Sequence, residues 1–367
     1  MSRTATVAVR ISLVLALSLA AVSASVAAPG ERIVARTEMV AAKEVFNRSE
    51  ELSMRFTLEN ASDHAVRVLV RRTPLAGFAG DVLEVRRGGE EVAYIGRLVK
   101  WGPPRPEDFV EIEAGGSVSA VVDPSAAYDM SRPGNYTIRY RAEALELADK
   151  TGVRPVPREV RAEAASPIVE AVETSLQLEG VDAGPAVESE LEAMSQPPVY
   201  TACTSSRQSS LQTALNNAEQ MSIESRGYLQ TLPVSERPSN ARYKEWFGAY
   251  DSGRYSTVTS DYVAIADAFS NKTVSFFCDC TDSSYAYVYP NRPYEIHLCN
   301  AFWSAPATGT DSKAGTLVHE MSHFDVVANT NDYAYGQTAC RKLANKQPRK
   351  AIANADSHEY FAEAGGH

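Results

Sequence analysis

From Glu31 to about Gly180, apolar residues alternate with polar neighbours: Met54, Phe56 and Leu58, then Val66, Val68 and Val70, then Tyr136, Ile138 and Tyr140. A period of two sends successive side chains to opposite faces of a strand. Turn signals stand between the runs at Arg87-Gly88-Gly89, Pro103-Pro104 and Pro133-Gly134. Several short strands of this kind predict an all-β, sandwich-like domain over residues 29–180. The pattern changes after residues 181–199, where Asp182, Glu188, Glu190 and Glu192 occur without any Lys or Arg before Gln196-Pro197-Pro198. Acidic, proline-ended segments are exposed and open to cleavage, so this one reads as a linker with a processing site. Beyond it, Ser205 to Leu232 has the length and composition of one or two helices, and strands are predicted at Thr273 to Phe277 and Tyr294 to Cys299. A further helix is predicted from Ala314 to Val327, which contains no proline and one glycine, Gly315, and follows the capping side chains of Thr310-Asp311-Ser312. Residues 200–367 therefore read as a second, α+β domain.

Three features place the chain outside the cell. Arg3 and Arg10 precede an apolar run from Ile11 to Val22 and the small residues Ser25-Val26-Ala27-Ala28, the grammar of a signal peptide over residues 1–28. No later stretch approaches the length a membrane span requires. All five cysteines, Cys203, Cys278, Cys280, Cys299 and Cys340, fall in the last part of the chain, where an oxidising compartment permits disulfides. Cys278 and Cys280 are one residue apart, which strains a mutual bond, so each is expected to seek a distant partner. The competing reading, a cysteine zinc site, lacks a CxxC pair. The net charge of −10 and pI near 5.3 supply no basic stripe for nucleic acid. Nothing in the pattern calls for an obligate dimer, and a monomer is expected.

The chemistry concentrates in His319-Glu320-Met321-Ser322-His323. On a helix the two histidines lie one turn apart on one face, so both imidazoles reach one metal while Glu320 leans toward the open coordination position. A catalytic zinc needs a third protein ligand. The HExxHxxGxxH arrangement fails, because Val326 and Asn329 occupy the glycine and third histidine positions. Glu359 or Glu363 would be an unusually distant ligand. Asp332 is nearer, beyond Ala328-Asn329-Thr330-Asn331, whose composition favours a turn.

With these residues in view, Gly315 to His323 followed by Asn329-Thr330-Asn331-Asp332-Tyr333-Ala334-Tyr335-Gly336 resembles the aspzincin family of deuterolysins and peptidyl-Lys metalloendopeptidases, which pairs HExxH with a GTxxDxxYG-type segment. Asn329 stands where the family usually has glycine. Trp246 to Asp251, Ile296 to Cys299 and Asn354 to Tyr360 extend the resemblance over nearly all of residues 200–367. It implies a zincin-like endopeptidase domain in which His319, His323 and Asp332 bind one Zn²⁺, Glu320 is the general base and Tyr335 donates to the developing oxyanion. It also implies the disulfides Cys203 to Cys278 and Cys280 to Cys299, leaving Cys340 free, and a pro-domain in the β region with a mature enzyme starting near Tyr200.

The resemblance further implies that Asp356 and Glu359 line the pocket for the residue after the scissile bond, where two acids favour lysine. Read from the residues alone, the same pair is a helix capping box with Asp356 at the N-cap and Glu359 at N3. A zymogen is expected, its substrates proteins or peptides. Its own pro-domain is the candidate inhibitor, acting by steric cover or an oxygen or nitrogen ligand, because residues 1–199 contain no cysteine. Two alternatives stand beside this reading: a broad-specificity deuterolysin-like protease, and an exported binding or adhesion protein that works through its β-domain.

Overall fold

Residues 31–47, 50–148, 155–156, 167–180 and 197–365 are described by a computed structural model. The expected signal peptide and residues 181–196 of the expected linker lie outside them. Alternation in the N-terminal region produces the strands it predicts, Met54–Asn60, Val66–Leu69 and Gly134–Tyr140 among them. One sheet orders Ile168–Val172, Arg32–Met39, Met54–Asn60 and Ser117–Val122; a second orders Val45–Asn47, Thr174–Glu179, Gly134–Tyr140, Leu83–Arg87 and Glu90–Glu91. The two face each other, with Thr37 Oγ1 donating to Ile138 O at 2.9 Å and the Phe56 and Tyr140 rings 5.2 Å apart. Ala35, Phe56, Leu58, Val85, Tyr136, Ile138 and Leu176 fill the space between them. Pairing is not wholly antiparallel. Arg32–Met39 runs parallel to Ile168–Val172, and Val45–Asn47 runs parallel to Thr174–Glu179, because the late strands join edges that the early hairpins leave open.

The C-terminal region holds eight helices among the described residues: α1 (Ser205–Thr231), α2 (Ala241–Phe247), α3 (Ser252–Asn271), α4 (Asn300–Ser304), α5 (Lys313–His323), α6 (Gln337–Lys346), α7 (Pro348–Ala351) and α8 (Ala355–Glu363). The stretch from Ser205 is one helix rather than two. Thr204 caps it by accepting from Arg207 N, and Leu211, Ala214, Ala218, Met221 and Leu229 form its buried stripe at helical spacing. Asp251 caps α3 in the same way. The sheet here orders Val199–Thr201, Ser275–Phe277, Glu295–Leu298, Ala286–Val288 and finally Leu98–Lys100. The last strand is an N-terminal segment added to the edge of the C-terminal sheet, which neither half of the sequence pattern foretells. Cys203–Cys278 and Cys280–Cys299 are disulfides, and Cys340 is buried and free. The cysteines therefore hold no metal; one bond pins the first strand of the sheet and the other pins the end of its third.

Candidate active site

Helix α5 is buried throughout from Ala314 to His323. Ser312 Oγ accepts from Gly315 N at 2.9 Å and fixes its start. Gly315 is required by its neighbours, since a Cβ there would meet Glu363 Oε1 at 2.1 Å and Glu359 Cγ at 3.1 Å, both from α8. The helix ends at His323, four residues before the predicted Val327, because Phe324 turns extended and Asn329 N and Thr330 N return to Phe324 O and Ser322 O. Asn329 makes that return with φ +48°, the left-handed conformation a glycine would adopt and asparagine tolerates. The departure from the family's glycine is thus conformationally silent, and the turn delivers Asp332 to the helix.

His319 Nε2 and His323 Nε2 lie 3.1 Å apart. Asp332 Oδ1 is 3.3 Å from the first and Oδ2 is 3.5 Å from the second. All three side chains are almost wholly buried, and both Asp332 oxygens lack a hydrogen-bond partner of good geometry. Such a convergence of nitrogen lone pairs and a carboxylate is what a small divalent cation requires, and the donor set of two imidazoles and one carboxylate fits zinc with a fourth position open. Each histidine is also held from behind. His323 Nδ1 donates to Thr330 O at 3.0 Å, and His319 Nδ1 lies 2.8 Å from Asp356 Oδ1, which leaves each Nε2 facing the focus.

The charges follow from this crowding. Burial opposes charging of Asp332, but the flanking imidazoles outweigh it and hold its carboxyl below the usual range. Burial would also keep His319 neutral, yet Asp332, Asp356 and Glu359 hold its pKa well above the ordinary value. His323 falls to about 4 through burial. Glu320 has both oxygens buried without a partner, and burial pushes its carboxyl up to about 8. By itself this carboxyl holds its proton near neutrality; a bound cation at the focus would lower its pKa and free the oxygens to accept a proton. Burial and Asp332 keep the Tyr335 hydroxyl protonated far above neutrality, so it is a donor.

Asp356 and Glu359 face inward from the first turns of α8. The capping-box geometry does not form: the N-cap is Asn354, and Asp356 Oδ2 instead accepts from Gly336 N at 2.7 Å. Between the two acids lies Lys100 of the N-terminal region. Its Nζ bonds Glu359 Oε2 and stands 3.4 Å from Asp356 Oδ1 and 4.0 Å from Asp311 Oδ1, with the Tyr285 ring at 5.4 Å. Burial would lower the Lys100 pKa, but the three carboxylates raise it well above the ordinary value, so it is ammonium. Val99 O accepts from Tyr335 Oη at 2.9 Å. A second N-terminal cation, Arg72, donates to Asp332 O at 3.0 Å and pairs with Glu146 at 3.3 Å. A cavity of about 530 Å³ runs along this junction, lined by Arg71, Arg72, Lys100, Trp101, Tyr335 and Tyr360 among others. All the residues the sequence singled out for the metal, the base, the hydroxyl donor and the acidic pair are therefore neighbours. Lys100, Arg72 and Asp311 are the participants it missed. One signal was present for the first: Lys43, Lys100 and Lys150 are the lysines of residues 29–199, a region otherwise rich in arginine.

Residues 234–363 match the family profile described as lysine-specific metallo-endopeptidase, of the aspzincin type. An extracellular protease of Aeromonas hydrophila is 37% identical over 316 residues, 86% of this chain and 88% of that protein. A peptidyl-Lys metalloendopeptidase of Grifola frondosa is 40% identical over 321 residues, 84% of this chain and 86% of the relative. A solved zinc peptidase from Grifola frondosa is 51% identical, with TM-score 0.41, and covers 44% of this chain and 96% of its own. The two sequence relatives extend over both halves of the sequence, so the chain belongs to the aspzincin family and is a metalloendopeptidase.

Proposed function

We propose that the protein is a secreted, zinc-dependent endopeptidase, made as a zymogen, that cleaves peptide bonds on the amino side of lysine. His319, His323 and Asp332 would hold the metal, which when bound supplies Lewis acidity and a water of lowered pKa. Glu320 takes the proton of the attacking water and passes it to the leaving amine. Tyr335 donates to the carbonyl oxygen as negative charge develops there. Asp356 and Glu359 receive the lysine ammonium of the residue after the scissile bond, and His319 Nδ1 beside Asp356 ties that pocket to the metal centre. The extracellular and peptidyl-Lys names of the two relatives support secretion and the lysine preference.

The observation that carries this reading is Lys100, a lysine already seated between the two acids. Its seat also supports latency, because the N-terminal region then covers the cleft with its own side chain. The alternative of an adhesion protein acting through the β region lacks such support, since that region's buried cations point into the protease site. The test is cleavage-site sequencing of a denatured protein digested by enzyme matured through limited proteolysis at Glu188 to Glu192, with and without a chelator. Cuts before lysine that vanish with chelator are expected. Cuts without regard to the following residue would replace the lysine preference with broad specificity.

A further inference from the structure

Lys100 does more than fill a pocket, because the backbone that carries it lies as a substrate would. Leu98–Lys100 runs antiparallel to Ala286–Val288, pairing Leu98 with Val288, Val99 with Tyr287 and Lys100 with Ala286. Tyr285 N donates to Lys100 O at 2.9 Å. Strand addition of this kind presents an extended main chain with alternate side chains aimed at pockets. The register is set by two independent contacts. The lysine side chain enters the acidic pair, and the carbonyl immediately before it, Val99 O, receives the Tyr335 hydroxyl at 2.9 Å. A shift by one residue would turn the lysine to the other face and put a different carbonyl on Tyr335. A bond on the amino side of a pocketed lysine, with its carbonyl on the oxyanion donor, is the Val99–Lys100 bond.

We propose, building on the function inferred above, that Val99–Lys100 is a substrate bond of the chain's own active site and that the precursor nicks itself there while staying latent. A water oxygen adds to the Val99 carbonyl carbon and Glu320 takes the released proton. The C–N bond then breaks as that proton passes to the Lys100 nitrogen, giving an amine and a Val99 carboxylic acid, and the acid's remaining water proton moves to the amine to leave a Val99 carboxylate and a Lys100 α-ammonium. Neither new end is free to depart. Strands on the two sides of the cut are interleaved: Met54–Asn60 pairs with Ser117–Val122, Val66–Leu69 with Phe109–Ile112, and Leu83–Arg87 with Gly134–Tyr140. Val99 keeps its place in the sheet, Lys100 keeps its acids, and Arg71 holds Gly102 O at 3.0 Å just beyond. Nicking therefore leaves the cleft covered, and release of activity needs loss of the whole β region.

The experiment uses zinc-loaded full-length precursor incubated across a wide dilution series, then denatured and weighed by mass spectrometry. Two fragments meeting at Val99 and Lys100 are expected, at a rate independent of protein concentration. Both should be lost in Glu320→Gln and in Lys100→Ala. Before denaturation, the nicked chain should elute as one species and hydrolyse added lysyl peptide no faster than uncut Glu320→Gln precursor. The inference is overturned if the precursor stays whole at this bond while enzyme matured at the acidic segment cuts a synthetic peptide of residues 94–105 before its lysine. It is also overturned if the cut appears only at high concentration, or if nicking alone releases full activity. Should matured enzyme cut no lysyl peptide, the failure lies in the proposed function beneath it.

Discussion

The two halves of the molecule handle charge in opposite ways. In the β-rich region the interior is apolar, and pairs such as Arg36–Glu59 and Arg55–Glu38 sit at the surface, where their worth is small. In the helical region His319, Glu320, His323, Asp332, Asp356 and Glu359 are all at most 2% exposed. Each buried ion costs several kcal/mol of desolvation, of order what a whole domain has to spare. A fold that buries six ionisable groups side by side, several of them charged, is held to that arrangement by chemistry rather than stability. The comparison also exposes the one exception. Lys100 is the charged residue of the described β-rich region that is fully buried, and its partners belong to the other half. Misplaced charge thus marks the function of both regions at once.

The contrast can be broken at the metal first. Glu320→Gln keeps the proposed ligands and removes the proposed base, so hydrolysis by matured enzyme should fall by roughly 100-fold to 10,000-fold with zinc content unchanged, read by turnover beside metal analysis. Asp332→Ala should lose both zinc and activity after dialysis; retention of stoichiometric metal would remove Asp332 from the centre. Next, Lys100→Ala strands two buried carboxylates, and thermal unfolding of the precursor should show a loss of about 3 kcal/mol. An unchanged melting temperature would mean that the acids find other partners. A smaller effect is expected in specificity. Asp356→Asn with Glu359→Gln removes charge-assisted bonds worth roughly 1.5–3 kcal/mol each, so preference for lysine over a neutral residue should drop at least about tenfold in competition assays. An unaltered ratio would leave the pocket without its proposed role.

The smallest effect sharpens the contrast through pH. Burial, with Glu359 nearby, pushes the Glu363 carboxyl up to about 8, while in the unfolded chain it titrates near 4.5. The folded state therefore holds that proton more tightly, and its contribution is complete below about 4.5 and lost as pH rises toward 8. Glu363 is partly solvated, so we expect about 1 kcal/mol, or ~2–4 °C, lost over that window and a flatter profile for Glu363→Gln in melting curves. Parallel profiles for the two proteins would show that the carboxyl stays ionised throughout.

Much of this was legible in the sequence because the information is local. A two-residue period writes strands directly, and HExxH places two imidazoles on one helical face whatever surrounds them. Asp332 was accessible too, since a turn of nine residues can be read from its Asn and Thr content, and Asn329 adopts the backbone a glycine would. The failures are non-local. Lys100 and Asp356 are separated by 256 residues, and no periodicity within either segment encodes their meeting. Leu98–Lys100, two apolar residues and a lysine, is a short extended run like others in the region, so nothing in its pattern says that it joins the sheet of the other half. Asp356 and Glu359 illustrate ambiguity rather than distance. Their spacing is that of a capping box, and only the position of Asn354 one residue before the helix shows that the backbone was already provided for.

The short strand Ala286–Val288 lies between Glu295–Leu298 and the borrowed Leu98–Lys100. Under the proposed maturation, removal of the N-terminal region would turn this strand's outer row of amide and carbonyl groups to solvent, and an open sheet edge is a template for any passing extended chain. The lip that would recruit substrates is thereby also the surface most prone to self-association. In the proposed precursor, the chain's own strand sealing that lip would protect against clumping as well as premature digestion, and the three-residue length of Ala286–Val288 would keep the hazard small afterwards.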